Sequence, residues 1–167
     1  TCTATFAAGL PAVPASFTSA TLAGPALTSA ADLTLLGATV SATSLTLASG
    51  HTLLVRPSGL ATTVSAALLP QAGSLVKVDC NSSASSASLV VSNGFTNHGT
   101  IELTGIETVS TAPTNSAGAV VRYASYTGGV DSTEIKDWDY QILIISGEAF
   151  DRFSLAAVET VAQTFEI

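Results

Sequence analysis

The sequence predicts an all-β protein built as a parallel β-helix, in which short strands stack into successive coils. Apolar residues alternate with threonine at period two, as in Leu33-Thr34-Leu35 and Leu45-Thr46-Leu47, which is typical of strands with one buried face. Glycine or asparagine follows many of these segments and supplies turns. Charged residues make up only 10% of the chain, so Thr, Ser, Ala and Gly must form most of the surface.

The spacing of the apolar anchors is irregular. The step from Leu33 to Leu45 is 12 residues, the step from Leu45 to Leu53 is 8, and the step from Leu89 to Ile101 is 12. This spacing excludes a strict hexapeptide or nonapeptide solenoid and favours a β-helix with loops of variable length. The alternative fold is a β-sandwich filament subunit, in which the proline-bearing N-terminal segment of one copy completes the sheet of the next.

The first segment of the chain, residues 1–25, differs from the rest. Pro11, Pro14 and Pro25 remove backbone donors and disfavour a regular central strand. We therefore predict an extended lead-in or cap over residues 1–25 and a single β-solenoid domain over residues 26–167.

The middle of the chain contains the clearest repeat unit, at residues 89–105. Two short apolar pieces, Leu89–Val91 and Ile101–Leu103, flank a connector rich in glycine and asparagine. Gly94 and Gly99 can adopt positive φ there without steric cost, and Asn93 and Asn97 tolerate it, so this connector is predicted to be a turn. The unit should therefore read strand, turn, strand.

The C-terminal third should be the best-packed region, since half of the ten aromatic residues fall within residues 138–167. We predict that Leu143, Ile145, Phe153 and Leu155 share one buried core. The apolar alternation still continues at Ile167, so we also expect the chain either to continue into a longer passenger or to stack end to end with a second copy.

Composition excludes several classes of partner. The net charge of −7 argues against binding to nucleic acid, which requires clustered Lys and Arg. No apolar run approaches the length of a membrane-spanning helix. No motif for a cofactor, a metal ion or a catalytic nucleophile is recognisable, so none of these is expected.

The two cysteines, Cys2 and Cys80, are too few to form a four-ligand zinc site. The chain also lacks methionine, even at position 1, which indicates a processed, secreted product. A disulfide between Cys2 and Cys80 is therefore the leading prediction. A lipid anchor on Cys2 is the other interpretation.

The C-terminal segment resembles a repeat of bacterial surface proteins of the filamentous-haemagglutinin and autotransporter-passenger type. The matching residues are Tyr140, Leu143, Ile145, Gly147, Leu155, Val158, Val161, Phe165 and Ile167. The turn Asn97-His98-Gly99-Thr100-Ile101 is similar to one in the same proteins, whereas Gln141 stands where the family often has Asn. The resemblance covers about half of the chain and implies a right-handed parallel β-helix, an extracellular location and a role as adhesin, matrix component or exported fibre. It implies no catalytic residue.

The densest group of candidate functional residues is Asp131, Glu134, Asp137, Trp138 and Asp139. Converging carboxylates could contact a carbohydrate or an ion, and Trp138 with Tyr140 could offer a platform for a sugar ring. A solvated acidic loop and an aromatic pair packed under it are the favoured interpretation. His51 and His98 could bind a metal ion together with Glu102, but histidines exposed in turns are favoured.

The sequence thus favours an exported, non-enzymatic structural or adhesive surface protein, with self-association and surface glycans as the expected interactions. A pilus-like filament subunit that assembles by donor-strand addition is the first alternative. A β-helix enzyme acting on polysaccharide through the carboxylates between Asp131 and Asp151 is the second.

Overall fold

The computed structural model describes residues 2–7, 9–80, 86–105, 107–125, 132–147, 151–155 and 160–166, with the side chains of Ser132, Leu155 and Thr160 outside the described part. All regular secondary structure in these residues is β-strand, and the paired strands run parallel. The prediction of an all-β parallel β-helix is confirmed. The chain winds through about seven coils, an architecture distinct from the β-sandwich alternative.

Two sheets form opposite sides of the solenoid. Sheet I contains eight strands that follow one another in chain order: β2 (Ala15–Thr18), β5 (Leu33–Leu36), β7 (Thr52–Arg56), β9 (Leu75–Asp79), β12 (Thr100–Thr104), β15 (Val120–Ala124), β17 (Asp139–Ser146) and β19 (Thr160–Glu166). Sheet II contains β1 (Cys2–Thr5), β3 (Ala20–Ala23), β6 (Thr39–Leu47), β8 (Thr62–Pro70), β10 (Ala87–Val91) and β13 (Glu107–Val109), with β4 (Ala26–Ser29) also paired to β6.

Two smaller sheets complete the coils near the C-terminus. One pairs β11 (Thr96–Asn97) with β14 (Thr114–Asn115), and the other pairs β16 (Ser132–Ile135) with β18 (Arg152–Leu155). The described part of the chain contains no helix that could cross a membrane.

The alternation of the chain between the sheets explains the irregular spacing of the anchors. Leu33 lies in sheet I, Leu45 lies in sheet II and Leu53 returns to sheet I beside Leu33. Two unequal steps therefore make one coil. Coil length also varies, since Ala15 pairs with Leu33 after 18 residues whereas Val76 pairs with Ile101 after 25.

The core consists of columns in which each inward side chain stacks on its partner in the next coil. One column in sheet I runs through Leu33, Leu53, Val76, Ile101, Val121 and Leu143. These side chains are at most 2% exposed. Burial of each one stabilises the fold by roughly 1.5–3 kcal/mol relative to exposure, which makes the columns the main source of stability.

The outer face of sheet I carries a ladder of ion pairs. Glu102 lies between Lys77 and Arg122 on the neighbouring strands, with its carboxylate oxygens 2.8 Å from Lys77 Nζ and 3.5 Å from Arg122 Nη1. Arg56 Nη2 lies 3.3 Å from Asp79 Oδ2 on the same face. Three of the five basic residues of the chain are thus paired across strands.

Residues 89–105 form strands separated by turns, as predicted, but the two glycines have different roles. Gly94 adopts φ +98°, as expected. Gly99 does not have a positive φ; a Cβ atom there would instead lie 2.6 Å from the backbone oxygens of Gln71 and Ser74 in the preceding coil. The prediction for Gly99 was therefore wrong in its cause, because close packing between coils requires the glycine.

The C-terminal third is packed through β17, where Leu143 and Ile145 are buried. Phe153 is partly buried and packs against the same core, while the side chain of Leu155 lies outside the described part. At the other end, β1, β2 and β3 fall within residues 1–25 and pair in parallel with the solenoid strands. A domain boundary at residue 25 stays a prediction.

Candidate functional site

A groove of about 740 Å³ opens on the surface near the C-terminal coils. Two successive coils line it, with residues 112–115 from one coil and residues 137–141 from the next, and Ala162 of β19 also lines it. The fold brings these two stretches together because they are separated by one turn of the solenoid. The described residues that line the groove are Ala112, Pro113, Thr114, Asn115, Asp137, Trp138, Asp139, Tyr140, Gln141 and Ala162.

One part of the lining is fixed by stacked asparagines. The Nδ2 atom of Asn97, which is fully buried, donates to Asn115 Oδ1 at 2.9 Å, and Asn97 Oδ1 accepts from the backbone N–H of Gly99 at 3.0 Å. Asn115 Nδ2 in turn donates to the backbone oxygen of Asp139 at 2.7 Å. Because this bond joins the two coils that line the groove, their relative position does not depend on a ligand.

The floor is fixed by buried aromatic residues. The Tyr123 and Tyr140 hydroxyl oxygens lie 2.9 Å apart, and the backbone N–H of Lys136 donates to the Tyr123 hydroxyl at 3.0 Å. The rings of Trp138 and Tyr140 pack with centroids 6.4 Å apart. Trp138 lines the groove but is only 8% exposed, so most of its indole surface is covered by the protein.

The groove presents acceptors on a partly apolar surface. The side chains of Asp137 and Asp139 are exposed, because Trp138 and Tyr140 occupy the inward positions between and after them. Thr114 is exposed and Gln141 is partly exposed on the same surface. Among the described residues that line the groove there is no Lys, Arg or His.

The structure therefore brings together three of the five predicted site residues: Asp137, Trp138 and Asp139. Glu134 is exposed on β16 but does not line the groove, and Asp131 lies outside the described residues. The part of the lining that residues 112–115 supply was not predicted. The only sequence signal for it is the turn-forming Pro113 and Asn115, whose proximity to Asp139 depends on the length of the intervening coil.

A second polar cluster lies inside the solenoid and was also missed. Glu107 on β13 takes the inward register position next to Ala87, and its side chain is 2% exposed. Its Oε1 atom lies 3.8 Å from Lys136 Nζ, and Oε2 has no hydrogen-bond partner among the described residues. Burial raises the pKa of Glu107 from near 4.5 to about 7, with Lys136 opposing part of this rise. Burial next to Tyr140 also raises the pKa of Tyr123.

The histidines lie apart from these clusters. His51 Nδ1 lies 3.9 Å from Asp32 Oδ1, and His98 is exposed in the turn before β12. Glu102, the predicted third ligand, is engaged by Lys77 and Arg122. The described residues contain no group of three or more His, Cys, Asp or Glu side chains placed to hold a metal ion.

The predicted disulfide between Cys2 and Cys80 is not formed in the structure. Cys2 is exposed on β1, whereas Cys80 is buried immediately after β9. Cys2 lies on β1, and Cys80 follows β9, the next strand in the chain after β8. In sheet II, β1 and β8 are three interstrand steps apart, a distance of roughly 14 Å along the solenoid. A disulfide requires Cα atoms within about 7 Å, so the stacking of the coils keeps the two thiols apart.

Comparison of the chain with protein-family models, curated proteins and solved structures found no match.

Proposed function

We propose that this chain is a non-enzymatic structural and adhesive segment of an exported surface protein. The observation that carries the proposal is the uninterrupted parallel stacking of sheet I, in which eight strands pair in sequence. Stacking at about 4.8 Å per step gives a rod roughly 34 Å long along this sheet. Such a rod presents binding surfaces at fixed spacing, which is the physical requirement of an adhesin or a stalk.

The outer surface supports this role. The ion-pair ladder of Lys77, Glu102 and Arg122 joins three coils from outside, and the inward columns join the same coils from inside. Coils fastened on both faces resist local opening, because separation of one step breaks ladder hydrogen bonds, apolar contacts and ion pairs together. A segment exposed outside a cell benefits from this resistance.

A polysaccharide-acting enzyme is the second candidate, favoured by the presence of Asp137 and Asp139 in one groove. Two residues apart, their Cα atoms are separated by at most about 7 Å. Glycosidases also act through paired carboxyl groups. The solenoid does not favour a donor-strand filament, because donor-strand addition completes the sheet of a β-sandwich.

Two measurements test the adhesive role against the enzymatic one. Antibodies against the chain should label intact source cells, and beads coated with the purified chain should be retained on polysaccharide or cell surfaces that do not retain albumin-coated beads. Prolonged incubation with the same polysaccharides should release no new reducing ends. Label confined to the cell interior would contradict the proposal, and release that D137N and D139N abolish would establish the enzyme instead.

A further inference from the structure

We propose that the groove lined by residues 112–115 and 137–141 binds a short stretch of an uncharged polysaccharide. This inference rests on the proposed adhesive role and names the site and the class of ligand. A groove of about 740 Å³ falls within the roughly 300–1,000 Å³ typical of small-ligand sites. It suits a few linked sugar rings.

The chemistry of the groove matches a neutral sugar. Hydroxyl groups of a sugar donate to carboxylates, and Asp137 and Asp139 both present exposed carboxylates to the groove. Hydrogen bonds to a charged acceptor are stronger than bonds between neutral groups. Thr114 and Gln141 add neutral donors and acceptors, while the exposed Ala112 offers apolar surface to the C–H faces of the rings.

The charge around the groove argues against anionic ligands. Residues 131–167 contain eight of the twelve acidic residues of the chain but only two of the five basic ones. A sulfated or uronic-acid polymer would approach a negative surface, and no described base lines the groove to pair with it. The site therefore selects against these glycans by repulsion as well as by missing contacts.

The lining of the groove is held rigid without a ligand. The bond from Asn115 Nδ2 to the Asp139 oxygen joins the two lining coils, and the bonds between Tyr123, Tyr140 and Lys136 fix the floor, before any ligand arrives. Sugar–protein contacts are individually weak, so a site that loses little conformational entropy on binding is an advantage.

Calorimetric titration with neutral hexasaccharides tests the proposal. The probes are glucan, mannan, xylan and galactan hexamers, with oligogalacturonate and chitosan hexamers as charged comparisons, at physiological salt. At least one neutral probe should bind with a Kd below about 1 mM. The D137N/D139N double variant should weaken this binding about tenfold or more, as expected for loss of charged acceptors. E134Q removes an exposed acid outside the groove and should leave the Kd unchanged.

A second variant, A112W, fills the groove without altering either carboxylate and should also abolish binding. Circular dichroism and Tm confirm that each variant is folded. Failure of every neutral probe, binding limited to charged hexamers, or binding unaffected by both groove variants would overturn the proposal. If coated beads still adhere under these outcomes, the adhesive role stands and only the groove assignment fails.

Discussion

Glu107 shows how one buried carboxyl group makes stability depend on pH. Its pKa in the folded chain, about 7, exceeds its ordinary value near 4.5, chiefly because burial disfavours the charged form. The stability that this group contributes is therefore fully present below pH 4.5 and is lost as pH rises through about 7. The shift corresponds to about 3 kcal/mol, so we expect the free energy of unfolding to decrease by that order between pH 4.5 and pH 8.

Chemical denaturation of the wild type and of E107Q across this pH range measures the effect. Glutamine has nearly the same shape and does not titrate, so the variant should lose most of the pH dependence. Lys136 faces Glu107 at 3.8 Å, and Tyr123 contributes a neutral hydroxyl nearby. An equal pH dependence in both proteins would show that Glu107 is not the responsible group.

Gly99 is a second residue whose role the structure makes testable. A Cβ atom there would meet two backbone oxygens at 2.6 Å, and backbone cannot move aside as a flexible side chain can. We expect G99A to destabilise the fold by about 3 kcal/mol or more. Gly50 provides the control, because it has φ +79° but a Cβ atom added there would meet no atom within 4 Å. G50A should cost only about 1–2 kcal/mol, the usual penalty for a left-handed alanine. Equal losses would refute the packing explanation.

At the scale of the element, neighbouring side chains of β17 point to opposite faces of sheet I. Ile145 points inward and is 8% exposed, whereas Ile144 points outward beside Arg122 and is partly exposed. Truncation of Ile145 to Ala should cost about 2–5 kcal/mol, because a cavity remains in the core. The same truncation at Ile144 should cost about 1 kcal/mol or less, since solvent already reaches it. Urea denaturation measures the loss of stability in both variants. A larger loss for I144A than for I145A would show that the inward and outward positions of β17 are assigned wrongly.

The elements were predictable because alternation within a strand is a local property. Leu33-Thr34-Leu35 shows its buried face whatever the rest of the chain does. Which sheet a strand joins is not a local property. The steps from Leu33 to Leu45 and from Leu45 to Leu53 are unequal in the sequence, and only the structure shows that together they make one coil. The glycine at position 99 was read as a turn residue for the same reason: its contacts with Gln71 and Ser74 lie in the preceding coil.

At the scale of the whole molecule, the same limit applies to the groove. Asp137, Trp138 and Asp139 are close in sequence, so their grouping was predictable. Residues 112–115 lie one coil earlier, and their position next to Asp139 depends on the number of residues in that coil. Coil length varies along the chain, so this proximity was not predictable. Glu107 was missed because a lone acid beside apolar residues looks the same in sequence whether it faces inward or outward.

The outer edge of β19 leads to a prediction about assembly of the isolated chain. β19 is the last strand of this sheet, and within the described part of the chain no strand pairs with its outer edge. Phe165 continues the inward column through its register with Leu143, yet it is 54% exposed. An unpaired strand edge beside an apolar side chain favours pairing with another strand. We therefore expect the isolated 167-residue chain to associate as its concentration rises, through β19.

Sedimentation velocity from micromolar to millimolar protein tests this expectation. F165K places a charge at the inward position of the edge strand, a device by which natural edge strands avoid pairing, and should suppress association. L60K is the matched control, because Leu60 is 63% exposed in the connection between β7 and β8, away from the edge of β19. A sedimentation coefficient that stays constant over the whole concentration range would show that the edge of β19 is protected. Association that L60K suppresses and F165K does not affect would place the contact on the side of the solenoid.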